Sequence, residues 1–404
     1  MIVSCVMCHV LCVMCHVWYI THHTNDREVF MLRYLTSGES HGKCMLTILD
    51  GLPAGLLVDT SLIDAELSRR MFGYGRGKRM AIESDRVDVL SGLRKNRTIG
   101  SPVALLIENV DHSIDRLPAV VDPRPGHADL AGAIKYNTKD ARDILERASA
   151  RETVARVASG ALAKILLKEF GIKVTSHVIR IGRIEAKTKG LGARQIETMA
   201  SKSPVRCADP VASRLMQAEI DEASALGDSL GGVFEIIVSG VPAGLGSHAQ
   251  WDRKIDARLA MALVSIQAIK GVSFGMGFGA GSVRGSMVHD GIFFDGPKGF
   301  FRKTNNAGGI EGGMTNGEDI IIQAVMKPIA TLKKPMGSVS MKTKKRAAAS
   351  VERSDTCAVP AAGVVGESVS ALEIAGAFIE KFGGDSIVEM KRNFEGYLAQ
   401  VRKF

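Results

Sequence analysis

The chain has 404 residues, 46% of them hydrophobic, which is enough for a sizeable core and excludes wholesale disorder. Its formal charge of +9 points to an acidic partner, whether nucleic acid, an anionic membrane or a phosphorylated small molecule. Aromatics at 5% argue against stacking platforms for single-stranded nucleic acid.

Residues 1–30 differ in character from the rest of the chain. Cys5 to His9 and Cys12 to His16 each spell C-x-x-C-H, inside the near-identical copies SCVMCHV and LCVMCHV. That spacing attaches a c-type haem and offers soft ligands to zinc. No haem domain surrounds it, and a signal peptide would need a basic start and a small-residue cleavage site. Residues 1–30 are therefore expected to be a non-catalytic extension, read from a duplicated stretch upstream of a true start at Met31. A single domain, 31–404, is expected to carry the chemistry. The remaining cysteines, Cys44, Cys207 and Cys357, are scattered, as reduced thiols of a cytoplasmic enzyme would be.

In chain order, 45–58 reads as a strand, a Gly-Pro turn and a second strand. SLIDAELSRRMF, behind Asp59 and Thr60 as caps, reads as a helix that empties into the basic glycine loop GYGRGKRM. Two strands around a turn come next, in DVLSGLRKNRTIGSPVALLIENVD. A long helix is predicted from near Thr138 to Gly171, with Ile144, Ala148, Val154, Val157, Ala161, Leu162 and Ile165 on its apolar side. IKVTSHVIRIG reads as a strand whose apolar phase flips, which predicts a bulge near Val178 or burial of both faces.

Asp209-Pro210 caps a helix to about Leu226, GGVFEIIVSG is a strand, and 252–269 is a helix. GVSFGMGFGAGS and TNNAGGIEGGMTNG read as glycine-dense loops, and the basic stretch 333–346 as a mobile loop. A late helix begins after Pro360. Without a steady βαβ rhythm, the expected fold is α+β: an α-β sandwich of antiparallel sheets packed with central helices, in one large domain.

Three motifs mislead. GESHG matches G-x-S-x-G, but a nucleophile elbow needs a helix after the serine, and KCMLTILDG is strand-like. The same stretch is one residue short of a phosphate loop. GMGFGA approximates a dinucleotide fingerprint without the helix that should come after it.

Four stretches concentrate glycine, arginine and histidine: GESHG with His41, RPGHAD with Arg124 and His127, ERASARET with Arg147, Ser149 and Arg151, and ERSDTC with Arg353 and Asp355. Histidines in turns of small residues let a ligand approach the backbone. Arg70, Arg76, Arg124, Arg147, Arg151 and Arg353 supply forked donors for phosphate and carboxylate.

RPGHADLAGAIKY, RASARET, IQAIKGVSFG, TNNAGGIEGGMTNGEDI, KPIATL and ERSDTCAVPAAGVVGESV occur in an order that resembles the chorismate synthase family from Met31 to the chain end. The resemblance implies a lyase converting 5-enolpyruvylshikimate 3-phosphate to chorismate and phosphate by 1,4-anti elimination. That reaction is the last common step of aromatic amino acid biosynthesis in the shikimate pathway, and the family runs it with reduced FMN.

By that resemblance His41 protonates the departing phosphate, His127 lies by the flavin ring, and Asp355 assists proton relay near the flavin's reactive nitrogen. FMN would meet Arg147, Ala148, Ser149, Gln267, Ala268, Gly312, Lys327, Pro328, Ile329, Ala330, Thr331 and Arg353. Arg70 and Arg76 match positions assigned to NADPH, which could equally hold substrate. Met71 stands where that loop commonly carries a third arginine. The family is typically homotetrameric, and flavin reduction would come from NADPH on the enzyme or from an external flavin reductase. No metal is expected in the catalytic site. The competing readings are a basic nucleic-acid-binding protein, from the charge and 333–346, and a haem or metal protein through residues 1–16.

Overall fold

The computed structural model describes residues 32–77, 84–296, 299–352 and 354–404. The C-x-x-C-H repeat and Arg353 lie outside the described residues. The elements used below are β1 (Arg33–Gly38), β2 (Cys44–Asp50), α1 (Thr60–Met71), β3 (Asp88–Ser91), β4 (Val103–Glu108), α2 (Asp129–Lys135), α3 (Arg142–Ala148) and α4 (Thr153–Lys168). They continue with β5 (Lys173–Ile181), β6 (Ile184–Glu185), α5 (Ala193–Ala200), α6 (Pro210–Ala225), β7 (Gly232–Ser239), α7 (Ile255–Val264), β8 (Ile269–Phe274), β9 (Ile320–Met326), α8 (Val359–Phe382) and α9 (Ile387–Lys403).

Two antiparallel sheets enclose a helical layer. One has strand order β1-β2-β4-β3, the other β8-β9-β7-β5-β6. In β2 and β4 the apolar period is two, so Met45, Leu49, Val103, Leu105 and Ile107 all turn inward and are buried. Against them lies α4, tied to the sheet by a buried hydroxyl pair, Thr47 Oγ1 to Ser159 Oγ at 2.7 Å. On the far side of α4 runs α8, which rests on β5 and β7. This helix is apolar and long enough to span a bilayer, yet 94% of its apolar window is buried inside the protein. The α-β sandwich with central helices is therefore the observed fold.

Small residues bring these layers together. A Cβ on Gly366 of α8 would come within 2.7 Å of the Phe234 ring, so β7 packs directly on the helix backbone. Centrally, the Glu367 carboxylate is fully buried and holds Arg69 through two 2.8 Å hydrogen bonds, with Lys164, Ser176 and Arg206 completing its shell. Arg69 thereby anchors the C-terminal end of α1 in the core, while its neighbour Arg70 faces the other way.

Several local expectations hold. Asp59 caps α1 through Ser61, Asp209 caps α6 through Val211 and Ala212, and the register of β5 slips between Val178 and Arg180. Others do not. The second strand of 45–58 reduces to isolated bridges at Ala54 and Leu57, whose partners are Ser386 and Arg97 rather than a sheet. The long helix from Thr138 breaks at Ser149, where the Oγ accepts from Arg151 N at 3.3 Å and starts a 3-10 turn. The helix of 252–269 ends at Val264, and GVSF belongs to edge strand β8. The stretch 333–346 is not loop throughout, since Gly337–Val339 pairs with Arg346–Ala348 in a short ribbon.

Candidate active site

The turn between β1 and β2 carries GESHG. Gly38 sits at φ +104° with no room for a Cβ, which would lie 2.2 Å from the Cys44 carbonyl oxygen. Because the turn joins two antiparallel strands, Ser40 is not on a nucleophile elbow. The turn is clamped from two sides. Asn109 Nδ2 donates to Glu39 O at 3.1 Å and to Gly42 O at 2.7 Å, and Ile114 N donates to His41 O at 3.0 Å.

From α3, Glu146 grips the same turn. Its main-chain oxygen accepts from Ser40 N at 3.0 Å and its carboxylate from His41 N at 2.8 Å. The His41 ring Nδ1 lies 3.0 Å and 2.9 Å from the two carboxylate oxygens. Burial would raise the Glu146 carboxyl, but the hydrogen bond and charge of His41, helped by Arg142, hold it below the usual carboxylate range. The ring's other nitrogen, Nε2, faces Asp111 Oδ2 at 4.0 Å.

RPGHAD leads into α2 and folds on its own aspartate. Asp129, fully buried, accepts from Arg124 N, Nε and Nη2 at 3.0, 2.8 and 2.9 Å and pairs with His127 Nδ1 at 2.6 Å. Burial pushes the Asp129 carboxyl up, and the bonds from His127 and Arg124 outweigh it, leaving the group well below its ordinary value. Arg124 reaches on to Thr331 Oγ1 at 2.8 Å, and Lys327 Nζ donates to Gly126 O at 3.0 Å. RPGH and KPIAT, two hundred residues apart in sequence, thus form one wall.

A third wall is arginine-rich. Asp85 bridges Arg70 Nη2 at 2.9 Å and Arg151 Nη1 at 2.5 Å, and Arg151 Nε reaches Asn109 Oδ1 at 2.8 Å. One carboxylate between two guanidiniums leaves this wall cationic. Burial pulls Arg70 below its usual value, with Arg151 and Arg76 acting the same way against Asp85. Arg76 pairs with Asp355 Oδ2 at 2.7 Å, while Asp355 Oδ1 accepts from Gly77 N at 2.6 Å. Ser354 Oγ donates to Thr331 O at 2.9 Å, and Arg142 Nη2 donates to Glu352 Oε1 at 2.9 Å. These links form two arcs, one from His127 to Asp355 and Arg76, the other from Arg70 to His41 and on through Arg142 to Glu352, and the chain from Arg70 to Arg76 joins them into a ring.

Of the residues expected to meet a flavin, most fall beside this ring. Lys327 N donates to Ala268 O at 2.9 Å, Ser229 Oγ donates to Ile329 O at 2.7 Å, and Gln267 Nε2 reaches Glu152 at 3.3 Å. Pro328 and Ala330 lie within the same KPIAT run, and Ala268 itself takes a left-handed φ of +67°. Arg147, between Glu146 and Ala148, binds the β1 edge at Thr36 O and Gly38 O, both at 2.8 Å. Gly312 is placed elsewhere. Its hairpin, Ile310–Glu311 with Met314–Thr315, meets the start of α7 through Ile255 N to Gly313 O, whereas Gln267 comes after the end of α7. The helix separates them by about 15 Å.

The groups overlooked in the sequence are the partners: Glu146, Asp129, Asp85, Arg142 and Asn109. Asp129 and Glu146 stand inside motifs already singled out, RPGHAD and ERASARET. Asp85 has no local signal, since only the fold sets it between two arginines.

Residues 32–379 match the family described as Chorismate synthase. A chorismate synthase of Geobacter metallireducens is 54% identical over 394 residues, covering 93% of this chain and 100% of the relative. One of Symbiobacterium thermophilum is 55% identical over 390 residues, covering 92% and 100%. A solved structure described as "Crystal Structure of Chorismate Synthase" superposes with a TM-score of 0.77 at 44% identity, covering 92% of this chain and 99% of that one.

Proposed function

The chain belongs to the chorismate synthase family, lyases that release phosphate from 5-enolpyruvylshikimate 3-phosphate to form chorismate, and from that premise we propose how its own residues carry the elimination. The substrate bears a phosphate and two carboxylates, so it must exchange water for fixed cationic donors. Arg70, Arg76, Arg124 and Arg151 supply them around one ring of contacts. Arg70 and Arg76 are largely buried beside Asp85 and Asp355, which favours substrate over NADPH at both.

The observation that carries the reading is His41 seated on the buried Glu146 carboxylate at the edge of that arginine-lined ring. His41 donates the proton that the departing phosphate takes up. His127, held by Asp129, sets protonation at the cofactor edge, and Asp355 assists relay of the second proton.

Reduced FMN fits the residues present. Gln267 Oε1 is buried without a hydrogen-bond partner, and Lys327 is depressed first by burial and then by the adjacent Lys270, as suits a polar, anionic ligand. The chemistry such a cofactor would supply there is transient electron donation with no net redox change. Arg147, Ala148, Ser149, Gln267, Ala268, Arg353 and 327–331 would hold it, Gly312 lying at the other end of α7 from Gln267. Burying exposed Phe294 and Phe300 of the ribbon Ile292–Asp295 with Gly299–Arg302 would favour the family's homotetramer. Met71 in place of a third loop arginine favours an external flavin reductase, in the cytoplasm.

The test is phosphate release under anaerobic conditions from the enolpyruvyl substrate with reduced FMN. Stoichiometric phosphate is expected, and none at saturating substrate and cofactor would overturn the reading.

A further inference from the structure

We propose that Glu146 and Asp129 are positioning residues that fix His41 and His127 in the same tautomer, each carboxylate being pinned by an arginine of its own. The inference rests on the roles given above to the two histidines.

One three-part arrangement is built twice by unrelated means. Arg142 and Glu146 lie one helical turn apart on α3, and their histidine arrives from a hairpin 105 residues away. Arg124 and His127 lie in one loop, and Asp129 opens the helix α2 that follows it. In both cases the carboxylate meets Nδ1, at 2.9 Å for His41 and 2.6 Å for His127. Both carboxylate side chains have no solvent exposure.

Each short separation requires a proton between nitrogen and oxygen, since two acceptors would repel at that distance. The carboxylates do not hold it, because both lie below their usual carboxyl range despite burial. Arg124 Nη2 also lies 3.0 Å from His127 Nδ1, but that nitrogen already donates to Asp129 Oδ1 at 2.9 Å, and an Nδ1 accepting from it would leave the 2.6 Å contact with Asp129 between two acceptors. Nδ1 therefore carries hydrogen in both rings.

The chemical consequence is directional. With Nδ1–H committed to the carboxylate, Nε2 of a neutral ring holds a lone pair, and only the imidazolium donates there. As the substrate's C–O bond breaks and its electron pair stays on the phosphate oxygen, the His41 Nε2–H bond breaks and that proton joins the oxygen. The ring is left neutral with Nδ1–H still on Glu146, which never becomes protonated. The opposite tautomer would direct a neutral ring's only proton away from the carboxylate and set two lone pairs against each other at that short separation.

The test combines kinetics with nitrogen-15 NMR of the histidine rings in the full chain. On the neutral rings, the parent is expected to show Nδ1-protonated tautomers for both histidines without any cofactor present. Glu146→Gln and Asp129→Asn should each mix the tautomer of their own histidine only. Each should lower kcat by roughly 10²-fold with KM changed by less than about threefold, the scale of acid–base groups. Glu146→Asp should recover part of that loss, and it serves as the second variant should the glutamine form melt early. His41→Ala combined with Glu146→Gln should be no slower than His41→Ala alone. An Nε2-protonated parent ring, or parental kcat in both amide variants, overturns the proposal. Parental turnover in His41→Ala with Nδ1–H rings intact would instead overturn the catalytic role of His41 and leave the positioning standing.

Discussion

Gly160 of α4 lies against Ser368 of α8 so closely that a Cβ on the glycine would sit 2.4 Å from the serine Cβ and 2.7 Å from its main-chain oxygen. The two central helices touch backbone to backbone there. This crossing sets the thickness of the helical layer, whose α4 also packs against α1 and β2.

Gly160→Val should therefore force the helices apart. Overpacking a close-packed core costs about 1–3 kcal/mol, so thermal melting should show a clear loss of stability. Melting at the parental temperature would mean the layer can widen freely.

Glu367 offers a pH-dependent counterpart. Burial would raise its carboxyl, but Lys164, Arg69 and Arg206 outweigh that and hold it well below its usual value. A depressed folded-state value stabilises the protein above the unfolded carboxyl range and is lost as pH falls below it. Melting temperature should therefore fall between about pH 5 and pH 3 in the parent. Glu367→Gln should be less stable at neutral pH by about 3–5 kcal/mol, because three cations lose their buried partner, and its acid slope should be shallower. Equal slopes in both proteins would mean that Glu367 does not set the acid sensitivity.

His41→Ala and His127→Ala should each reduce turnover by roughly 10²-fold or more while FMN still binds, the usual effect of losing an acid–base group. Anaerobic turnover and flavin fluorescence titration measure the two separately. Parental turnover in both variants would end the assignment.

Deleting residues 2–30 should leave phosphate release unchanged, since the match to the family begins at residue 32. A drop of tenfold or more in the truncated chain would give the C-x-x-C-H repeat a part in the enzyme.

Much of this protein is determined within a few residues of chain. Asp59 and Asp209 cap helices because their own carboxylates reach back to nearby N–H groups. The slip after Val178 is written in the flip of apolar phase along β5. His41 and His127 stand out because glycine and proline around them mark turns open to a ligand, and Asp355 because it lies in the family-like stretch ERSDTC. Tertiary structure alone decided what these groups do. The second strand of 45–58 found no sheet partner, the helix from Thr138 broke at Ser149, and Gly312 went to the far end of α7 from Gln267. Above all, Glu146 and Asp85 read as ordinary acidic residues along the chain. They become an anchor for His41 and a bridge between Arg70 and Arg151 only when folding removes water, since a carboxylate binds its partner strongly only where the surroundings are too dry to screen it.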